Sequence, residues 1–360
     1  MKYTFAILLC IHGLIHLMGF VKAFYLTDIN MQVLGLSKPM GSLWLIVFIL
    51  FVISASQLLT QKKWFYIVFV TVFISQFLII LVWQEAKYGT IINIIILLAS
   101  MSAFGNHRFD KMVEAETKAI IIEKIDSETK IITEADLKKL PEIVKLWLQR
   151  SHVVGNERVY SVSLIQQGHM RTKPDSKWMP FRATQYFNVD DPSFVWYTSV
   201  NTMPLMSMVG RDKFWNGEGE MLIKLAGLIP VVNVSNNEKI NSGTMLRYLS
   251  ELCWFPQAVI NDYIEWEPMS STSAKATFTY KNQSVFGTFS FTEEGDVMAF
   301  EAQRYYGGTE DSKLENWRVE TSSFKKFDGI RIPNQCKVIW QLEEGDFHWL
   351  SLEIIDIAYN

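Results

Sequence analysis

The chain is poor in the residues that build common catalytic and cofactor sites. Its three cysteines, Cys10, Cys253 and Cys336, have no C-x-x-C spacing, which argues against a disulfide framework and a thiolate metal site. We interpret Cys253 and Cys336 as small buried apolar residues, with a disulfide between them as the alternative in an oxidising compartment. A Gly-rich phosphate loop and the G-x-S-x-G and H-E-x-x-H signatures are also missing. Catalytic residues and cofactors therefore stay unassigned, and so does the question whether the protein is an enzyme.

Long runs of basic residues are missing as well. Six lysines against Asp28 and Glu85 give residues 1–106 a net charge of +4, so the chain's total of −3 leaves −7 for the remainder. Affinity for nucleic acid comes from clustered Lys and Arg. We therefore expect no nucleic-acid partner.

Charged residues are absent from four apolar runs near the N-terminus. These runs are Tyr3–Val21, Leu43–Gln61, Trp64–Gln84 and Tyr88–Asn106. Each is about as long as a helix that crosses ~30 Å of hydrocarbon at ~1.5 Å per residue. The first run is followed by no A-x-A-like cleavage site, so we interpret it as a retained helix. With short links between the later runs, the pattern predicts a four-helix transmembrane domain over residues 1–106.

The distribution of positive charge predicts the orientation of these helices. Lys2, Lys62, Lys63, Arg108 and Lys111 fall on one side of the predicted bundle, against three lysines on the other side. Positive charge marks the cytoplasmic side of a membrane. We expect the large C-terminal part to be cytoplasmic, with a periplasmic position as the alternative.

Residues 107–132 are charged and contain several isoleucines, a pattern that fits a linker, an extended strand or a helical stalk. Thr133-Glu-Ala-Asp136 then resembles a capping box and predicts the start of a helix that continues through Trp147 and ends near Gly155. Residues 133–360 form the predicted soluble, β-rich domain.

Beyond Gly155 the pattern changes to the alternation that is typical of strands. The predicted strands are Tyr160–Leu164, Phe181–Phe187, Phe194–Val200, Met221–Leu225, Ala274–Tyr280, Val285–Phe291, Val297–Gln303, Trp317–Phe324, Cys336–Leu342 and Trp349–Ile355. One stretch, Gly243–Ile260, has helical periodicity and is interrupted by Pro256. The fold class is therefore α+β, with a mostly antiparallel sheet on which one or two helices pack.

Four charged residues of the soluble part are candidate ligand-binding groups. Arg211 and Asp212 follow Gly210, which suggests either a binding loop or a turn with a local ion pair. Arg247 and Glu251 lie four apart in the predicted helix, so they can pair with each other. A buried Glu251 acting as an acid is the alternative, although no nucleophile is placed beside it by the sequence.

Aromatic residues are frequent in the soluble part and suggest an apolar pocket or ordinary core packing. The tryptophans that carry this prediction are Trp178, Trp196, Trp215, Trp254 and Trp266, with Trp254 the candidate for ligand contact. Arg304 lies in a strand among aromatic residues, where it can stack or neutralise an anionic head group. A solvated strand face is the alternative for Arg304.

Two histidines lie in the first apolar run, where ionisable side chains are costly and usually face the interior of a bundle. His12 and His16 are four apart and share a helix face, and Gln57, Gln76 and Asn93 in the other runs are candidate partners. A metal, haem or quinone site or a proton relay is one interpretation, although one haem cannot bind both histidines. Interhelical hydrogen bonding is the other, and we expect no metal site.

Several strings of the sequence resemble one bacterial family of multi-pass membrane proteins. The strings are His12–Phe20, Trp83–Gly89, Leu140–Leu148, Gln185–Trp196, Arg247–Pro256 and Asp328–Pro333. That family is a domain of unknown function, and the resemblance implies a location in the inner membrane without an activity. In architecture, the β-rich part with its helix pair resembles the lipoprotein-carrier (LolA/LolB-like) half-barrel. This second resemblance implies an apolar cavity that suits an acyl chain.

The sequence supports one principal hypothesis and two alternatives. The principal hypothesis is a membrane-anchored module that binds a membrane lipid, a lipoprotein acyl chain or another hydrophobic ligand. The first alternative is an intramembrane redox protein that uses His12 and His16. The second is a lipid-modifying membrane enzyme that uses Asp212, Glu251 and Arg304, and it requires these side chains to converge.

Overall fold

The structure, a computed structural model, describes residues 2–25, 37–121, 130–203, 206–307 and 311–360. The chain forms two compact units. The first comprises Met1–Phe109, Asn201–Ser207 and Leu225–Ile229, and the second comprises Asp110–Val200, Met208–Lys224 and Pro230–Asn360.

The N-terminal part consists of apolar helices. They are α1 (Lys2–Tyr25), α2 (Lys38–Leu59), α3 (Phe65–Leu81), the single turn α4 (Trp83–Ala86) and α5 (Gly89–Ile120). Among the described residues, α1, α2 and α5 are long and apolar enough to cross a membrane. Helix α3 has 17 residues and is shorter than the ~20 that a full crossing needs. Several apolar helices are therefore present, three of them of crossing length.

Helix α5 continues beyond the predicted end of the fourth apolar run at Asn106. Phe109, Val113, Thr117 and Ile120 recur at helical spacing and are all buried, which explains why the helix extends to Ile120. Of the three possibilities for residues 107–132, the helical one describes this first half. Residues 122–129 of the same segment lie outside the described residues.

The helix expected from Thr133 begins later than predicted. The carboxylate of Asp136 accepts hydrogen bonds from the backbone N–H and the hydroxyl of Thr133, at 2.7 Å each, and these bonds close a turn. Helix α6 (Glu142–Arg150) follows Pro141, whose extended backbone ends the turn region. The predicted start at Thr133 and the predicted end near Gly155 are therefore wrong, because the capping-box contacts stabilise an isolated turn.

A sheet of thirteen strands forms most of the second unit. The strands are β1 (Ser161–Met170), β2 (Met179–Asn188), β3 (Ser193–Met203), β4 (Met206–Trp215), β5 (Glu218–Leu225), β6 (Ile229–Ser235), β7 (Ile264–Ser270), β8 (Ser273–Tyr280), β9 (Gln283–Phe291), β10 (Val297–Tyr305), β11 (Leu314–Phe327), β12 (Ile330–Leu342) and β13 (Gly345–Tyr359). Their order is β6-β5-β4-β3-β2-β1-β13-β12-β11-β10-β9-β8-β7. The sheet therefore consists of two meanders that meet where β1 pairs with β13, in antiparallel register from Val162↔Tyr359 to Met170↔Leu350.

The ten predicted strands are all present, but β4, β6 and β7 were missed. Strands β6 and β7 form the two edges of the sheet, and each contains a proline, which lowers its strand signal. Strand β4 contains three consecutive charged residues, Arg211 to Lys213, and the sequence indicates a binding loop or a turn at the first two of them.

Helix α7 (Glu238–Glu251) connects β6 with β7, the opposite edges of the sheet. The side chain of Asn237 begins the helix by accepting hydrogen bonds from the backbone N–H groups of Lys239 and Ile240, at 3.0 Å each. Helix α7 ends at Glu251 and is followed by the 3₁₀ segment Leu252–Trp254; a second 3₁₀ segment, Pro256–Ile260, begins at Pro256, which has no N–H to continue the first. The predicted interruption at Pro256 is therefore present.

Close contact between α7 and the sheet depends on one glycine. A Cβ at Gly219 of β5 would lie 2.4 Å from the hydroxyl oxygen of Thr244, so any side chain there would push the helix away. The backbone N–H of Gly219 donates a 2.7 Å hydrogen bond to the side chain of Asn241. This contact fixes the side of α7 that faces β5.

Candidate ligand-binding cavity

The second unit contains a cavity of about 570 Å³ between helix α7 and the sheet. Strands from both meanders and the 3₁₀ segment after α7 contribute to its walls. Small-molecule sites in proteins typically have volumes of ~300–1,000 Å³. The cavity therefore has the size of a site for a small organic molecule or part of a lipid.

One face of α7, extended by the 3₁₀ segment, forms one wall. Ile240, Gly243, Arg247, Ser250 and Trp254 line the cavity, and their spacing of three and four residues places them on the same side. The other face of α7 is buried in the hydrophobic core through Met245, Leu246, Tyr248 and Leu249. The core therefore fixes the helix and leaves one of its faces to the cavity.

Alternate residues of the strands form the remaining walls. In β4, Met208, Gly210 and Asp212 line the cavity. Successive side chains of a strand point to opposite faces of the sheet, so Arg211 and Lys213 point away from it. The charged side chains of β4 therefore lie on two faces of the sheet, with Asp212 in the cavity and Arg211 and Lys213 on the opposite face.

Tryptophan side chains dominate the apolar part of the lining. The five that contribute are Trp196, Trp254, Trp317, Trp340 and Trp349. Valine, isoleucine, leucine and methionine side chains from the strands complete the surface. Each methylene group that a ligand buries against such a surface contributes about 0.8 kcal/mol.

Arg247 is the centre of a charged group at one side of the cavity. Its Nη1 lies 2.6 Å from a carboxylate oxygen of Asp212, and its Nε donates at 2.8 Å to Glu251. Gln185 donates a 2.7 Å hydrogen bond to the second oxygen of Glu251. Burial raises the pKa of Glu251, an effect that the charge of Arg247 opposes. Arg247 thus pairs with both carboxylates, and the three groups in their charged forms carry a net charge of −1.

Arg304 also lines the cavity, but no described residue pairs with it. Its guanidinium group lies over the ring of Trp317, 4.6 Å from the centroid, and 5.7 Å from the centroid of Trp340. Burial, together with repulsion from Arg247, lowers the pKa of Arg304 to about 10, so the group is still charged at neutral pH. The solvated strand face, which was the alternative for Arg304, is not what the structure contains.

The structure brings together most of the candidate ligand-binding residues. Asp212, Arg247, Glu251, Trp254 and Arg304 line the same cavity. The loop expected at Arg211 and Asp212 is wrong, because both residues belong to strand β4.

Arg211 is separated from this group because it points to the other face of β4. It is buried, with ion pairs of 3.0 Å to Glu116 and 2.8 Å to Glu220. Lys213 pairs with the same two carboxylates. This group of four charges stabilises the fold on the far side of β4 and does not reach the cavity.

Three tryptophans in the cavity wall are not among the residues predicted from the sequence. Trp317, Trp340 and Trp349 lie in strands that were predicted, and the alternation of those strands was the available signal. Conversely, Trp178 and Trp215 were expected inside, but their side chains are 38% and 41% exposed.

The helices contain a second polar cluster, around His12 and His16. The Nδ1 of His16 donates to the carbonyl oxygen of His12 at 2.9 Å, and its Nε2 accepts from the hydroxyl of Ser75 at 2.8 Å. Asn93 lies 2.9 Å from Nε2 of His12 and bonds to both Ser75 and Gln76. These contacts join α1, α3 and α5 by hydrogen bonds, which is the interhelical interpretation.

Gln57 is not part of this cluster, because its side chain makes no hydrogen bond to the histidines, Ser75, Gln76 or Asn93. Among the described residues, no group of three or more His, Cys, Asp or Glu side chains is placed to hold a metal ion. The hydrogen-bond cluster is therefore the arrangement that the structure gives to the two histidines.

Two cysteines and two carboxylates line the cavity. Cys253 and Cys336 line it as free thiols, so the disulfide alternative is not realised. Burial raises the pKa of Cys253 well above its ordinary value and that of Cys336 to about 12, which keeps both thiols protonated and unreactive. Asp212 and Glu251 are occupied by Arg247.

The β-rich part of the chain matches a protein family. Residues 130–352 match a family described as a family of unknown function, DUF6544. The chain belongs to this family. All residues that line the cavity lie inside the matched range.

Two solved structures are similar to part of the chain. One is the LolA superfamily protein NE2245 from Nitrosomonas europaea, which is 10% identical to this chain with a TM-score of 0.33. The match covers 64% of this chain and 94% of the other chain. The second is a DUF1329 family protein from Desulfovibrio piger, with 11% identity and a TM-score of 0.34, covering 62% and 93%. No curated protein matches the chain significantly. At this level of similarity neither structure supports a shared function, so a functional proposal has to rest on the cavity itself.

Proposed function

We propose that the protein is a membrane-anchored binding protein whose β-rich part holds a hydrophobic ligand, such as a membrane lipid or a lipoprotein acyl chain. The observation that supports this proposal is the cavity of about 570 Å³ between α7 and the sheet, with five tryptophans and many aliphatic side chains in its walls. A water-filled cavity with such walls has a cost in free energy, because apolar surface is left unburied. An apolar ligand removes that cost.

The anchor in this proposal is the set of apolar N-terminal helices. Helices α1, α2 and α5 have the length and composition to cross a membrane. Their outward-facing side chains are apolar, including Ile7, Ile11 and Leu98, each more than half exposed. Exposed apolar surface of this extent is suited to lipid. We further propose the bacterial inner membrane as the location, with the large domain on the cytoplasmic side according to the charge distribution.

The structure favours binding over the redox alternative. The nitrogens of His16 and the Nε2 of His12 are already engaged in hydrogen bonds between helices. A redox centre there would have to replace these contacts.

The test is photo-crosslinking of the full-length protein in lipid nanodiscs. Long-chain probes with a diazirine in the alkyl chain, one an alcohol and one a carboxylic acid, are activated, and the labelled peptides are identified by mass spectrometry. We expect saturable labelling of peptides from α7 and β11, with unlabelled compound as competitor. The apolar helices are labelled by probe dissolved in the lipid and provide an internal reference.

A variant that fills the cavity makes the test specific. Gly210 lines the cavity, and a Cβ there would have no neighbour closer than 3.5 Å, so Gly210→Leu adds a side chain without a backbone clash. This variant should reduce labelling of α7 and β11 about tenfold or more, whereas Ser284→Leu, on the exposed side of β9, should not. If neither probe labels the cavity peptides saturably, or if Gly210→Leu leaves the labelling unchanged, the proposed function is wrong.

A further inference from the structure

The positive charges along the cavity can be compared by the partners that each one has. Arg171 donates to the carbonyl oxygen of His348 at 2.8 Å, and Lys239 donates to that of Ser312 at 2.9 Å. Arg247 is paired with two carboxylates. Arg304 differs from these three, because its side chain makes no hydrogen bond or ion pair to any residue in the described part of the chain.

The surroundings of Arg304 leave its polar edge available. Trp317 covers one face of the guanidinium group. On the helix side lies Gly243, where a Cβ would be 3.4 Å from Nε, so the absent side chain keeps this space open. A glycine inside a helix costs about 1 kcal/mol relative to alanine. The space beside Arg304 is thus maintained at a cost to the stability of α7.

The nearby carboxylates are not free to pair with Arg304. Asp212 and Glu251 are close enough to influence its charge, but both are hydrogen-bonded to Arg247. An unpaired charge inside a protein is strongly unfavourable unless a partner of opposite charge binds it. No described side chain is hydrogen-bonded to Arg304, so an anion from outside the described residues can supply this direct partner.

We infer that the ligand is an anionic amphiphile, whose acidic group binds to Arg304 while its hydrocarbon part lies against the tryptophans of the cavity. This inference rests on the proposed function and narrows it. The acid is a carboxylate, as in a free fatty acid, or a phosphate, as in an anionic phospholipid, because both accept the parallel N–H donors of a guanidinium group. An acyl chain bound through a neutral ester lacks such a group and satisfies Arg304 less well.

The experiment compares matched ligands in the full-length protein. Competition against the crosslinking of α7 and β11 peptides gives apparent affinities for palmitic acid, 1-hexadecanol and phosphatidic acid in nanodiscs of neutral phosphatidylcholine. We expect the carboxylic acid to bind about 10- to 100-fold more tightly than the alcohol, the range of a charge-assisted hydrogen bond. The comparison of palmitic acid with phosphatidic acid identifies which anion the site prefers.

Variants of Arg304 connect this preference to one side chain. Arg304→Gln should reduce the affinity for the acid to that for the alcohol, while the affinity for the alcohol stays within about twofold. Arg304→Lys retains the charge and should preserve part of the preference. Arg318→Gln is the matched control, because Arg318 lies in β11 and is paired with Glu301 and Glu320 outside the cavity.

The outcomes separate this inference from the proposed function. Equal affinities of wild-type protein for acid and alcohol would overturn the inference and leave hydrophobic binding intact, and this comparison needs no variant. A preference for the acid that persists in Arg304→Gln would also overturn it. Absence of saturable labelling with every probe would contradict the proposed function itself.

Discussion

Replacing Arg304 by methionine should stabilise the ligand-free protein. Methionine retains the length of the side chain and removes the charge. Since the fold lowers the pKa of Arg304, the charged form is the one that the fold disfavours. The destabilisation is therefore fully present at neutral pH and is lost progressively as the pH rises from about 10 toward the ordinary pKa of arginine.

The magnitude follows from the pKa. The fold lowers the pKa of Arg304 from its ordinary value to about 10, a change that corresponds to about 3 kcal/mol. Methionine also loses the contact of the guanidinium group with Trp317, a cation–π interaction worth about 1 kcal/mol. Solvent in the cavity screens a further part of the charge. We expect a net stabilisation of about 1–2 kcal/mol.

Hydrogen exchange of the full-length, delipidated protein measures this stabilisation separately for each part of the sheet. The free energy of opening for amides in β10 and β11 should rise in Arg304→Met relative to the wild type. A decrease, or no change, would refute the view that Arg304 is an unpaired charge held for a ligand. Excess palmitic acid should reverse the order, because the wild type binds the acid more tightly than the variant and therefore gains more stability from it.

Arg247→Met is the matched control and should have the opposite sign. It removes the same charge from the same cavity but leaves Asp212 and Glu251 buried without their partner. Breaking a buried pair in this way costs about 3–5 kcal/mol. Replacement of Arg304 should therefore raise the stability of the protein, and replacement of Arg247 should lower it. A general effect of the charge in the cavity would change the stability in the same direction for both variants.

Three further predictions concern other parts of the chain. Asn93→Leu removes hydrogen bonds to His12, Ser75 and Gln76, each of which contributes about 0.6–2 kcal/mol to stability. The variant should lower the midpoint of detergent-induced unfolding of the helices. An unchanged midpoint would contradict a stabilising role of these bonds. Burial raises the pKa of Asp296, but hydrogen bonds from Arg331 and Arg150 and their charges hold that pKa below its usual 3.8. The stability that Asp296 provides is present above pH 3.8 and is lost as the pH falls through the lower value in the fold. Asp296→Asn should therefore reduce the loss of stability in acid, and equal acid sensitivity of variant and wild type would argue against the ion pairs. Burial raises the pKa of Cys336 to about 12, so this thiol should react with maleimide at pH 7 about 1,000-fold more slowly than a free thiol. A reaction rate near that of free cysteine would show that the thiol is accessible.

Local patterns in the sequence were sufficient for several parts of this protein. The apolar helices follow from runs without charge, and most strands follow from alternation, because both depend on near neighbours along the chain. The pairing of Arg247 with Glu251 also follows from their spacing of four in a helix, and the structure contains it at 2.8 Å. The interruption of the helical stretch at Pro256 follows for the same local reason.

Only the tertiary structure decided the composition of the cavity. Asp212 lies 35 residues from Arg247 in sequence, and the packing of α7 across β4 brings them within 2.6 Å. Arg211 and Asp212 are neighbours with opposite environments, because one residue of a strand faces the cavity and the next faces away. The unpaired state of Arg304 depends on where every other charge of the fold is placed. Run length, periodicity and charge along the chain determine where helices and strands form. The partners of a buried charge depend instead on distances between helices and strands, and the order of residues along the chain does not give those distances.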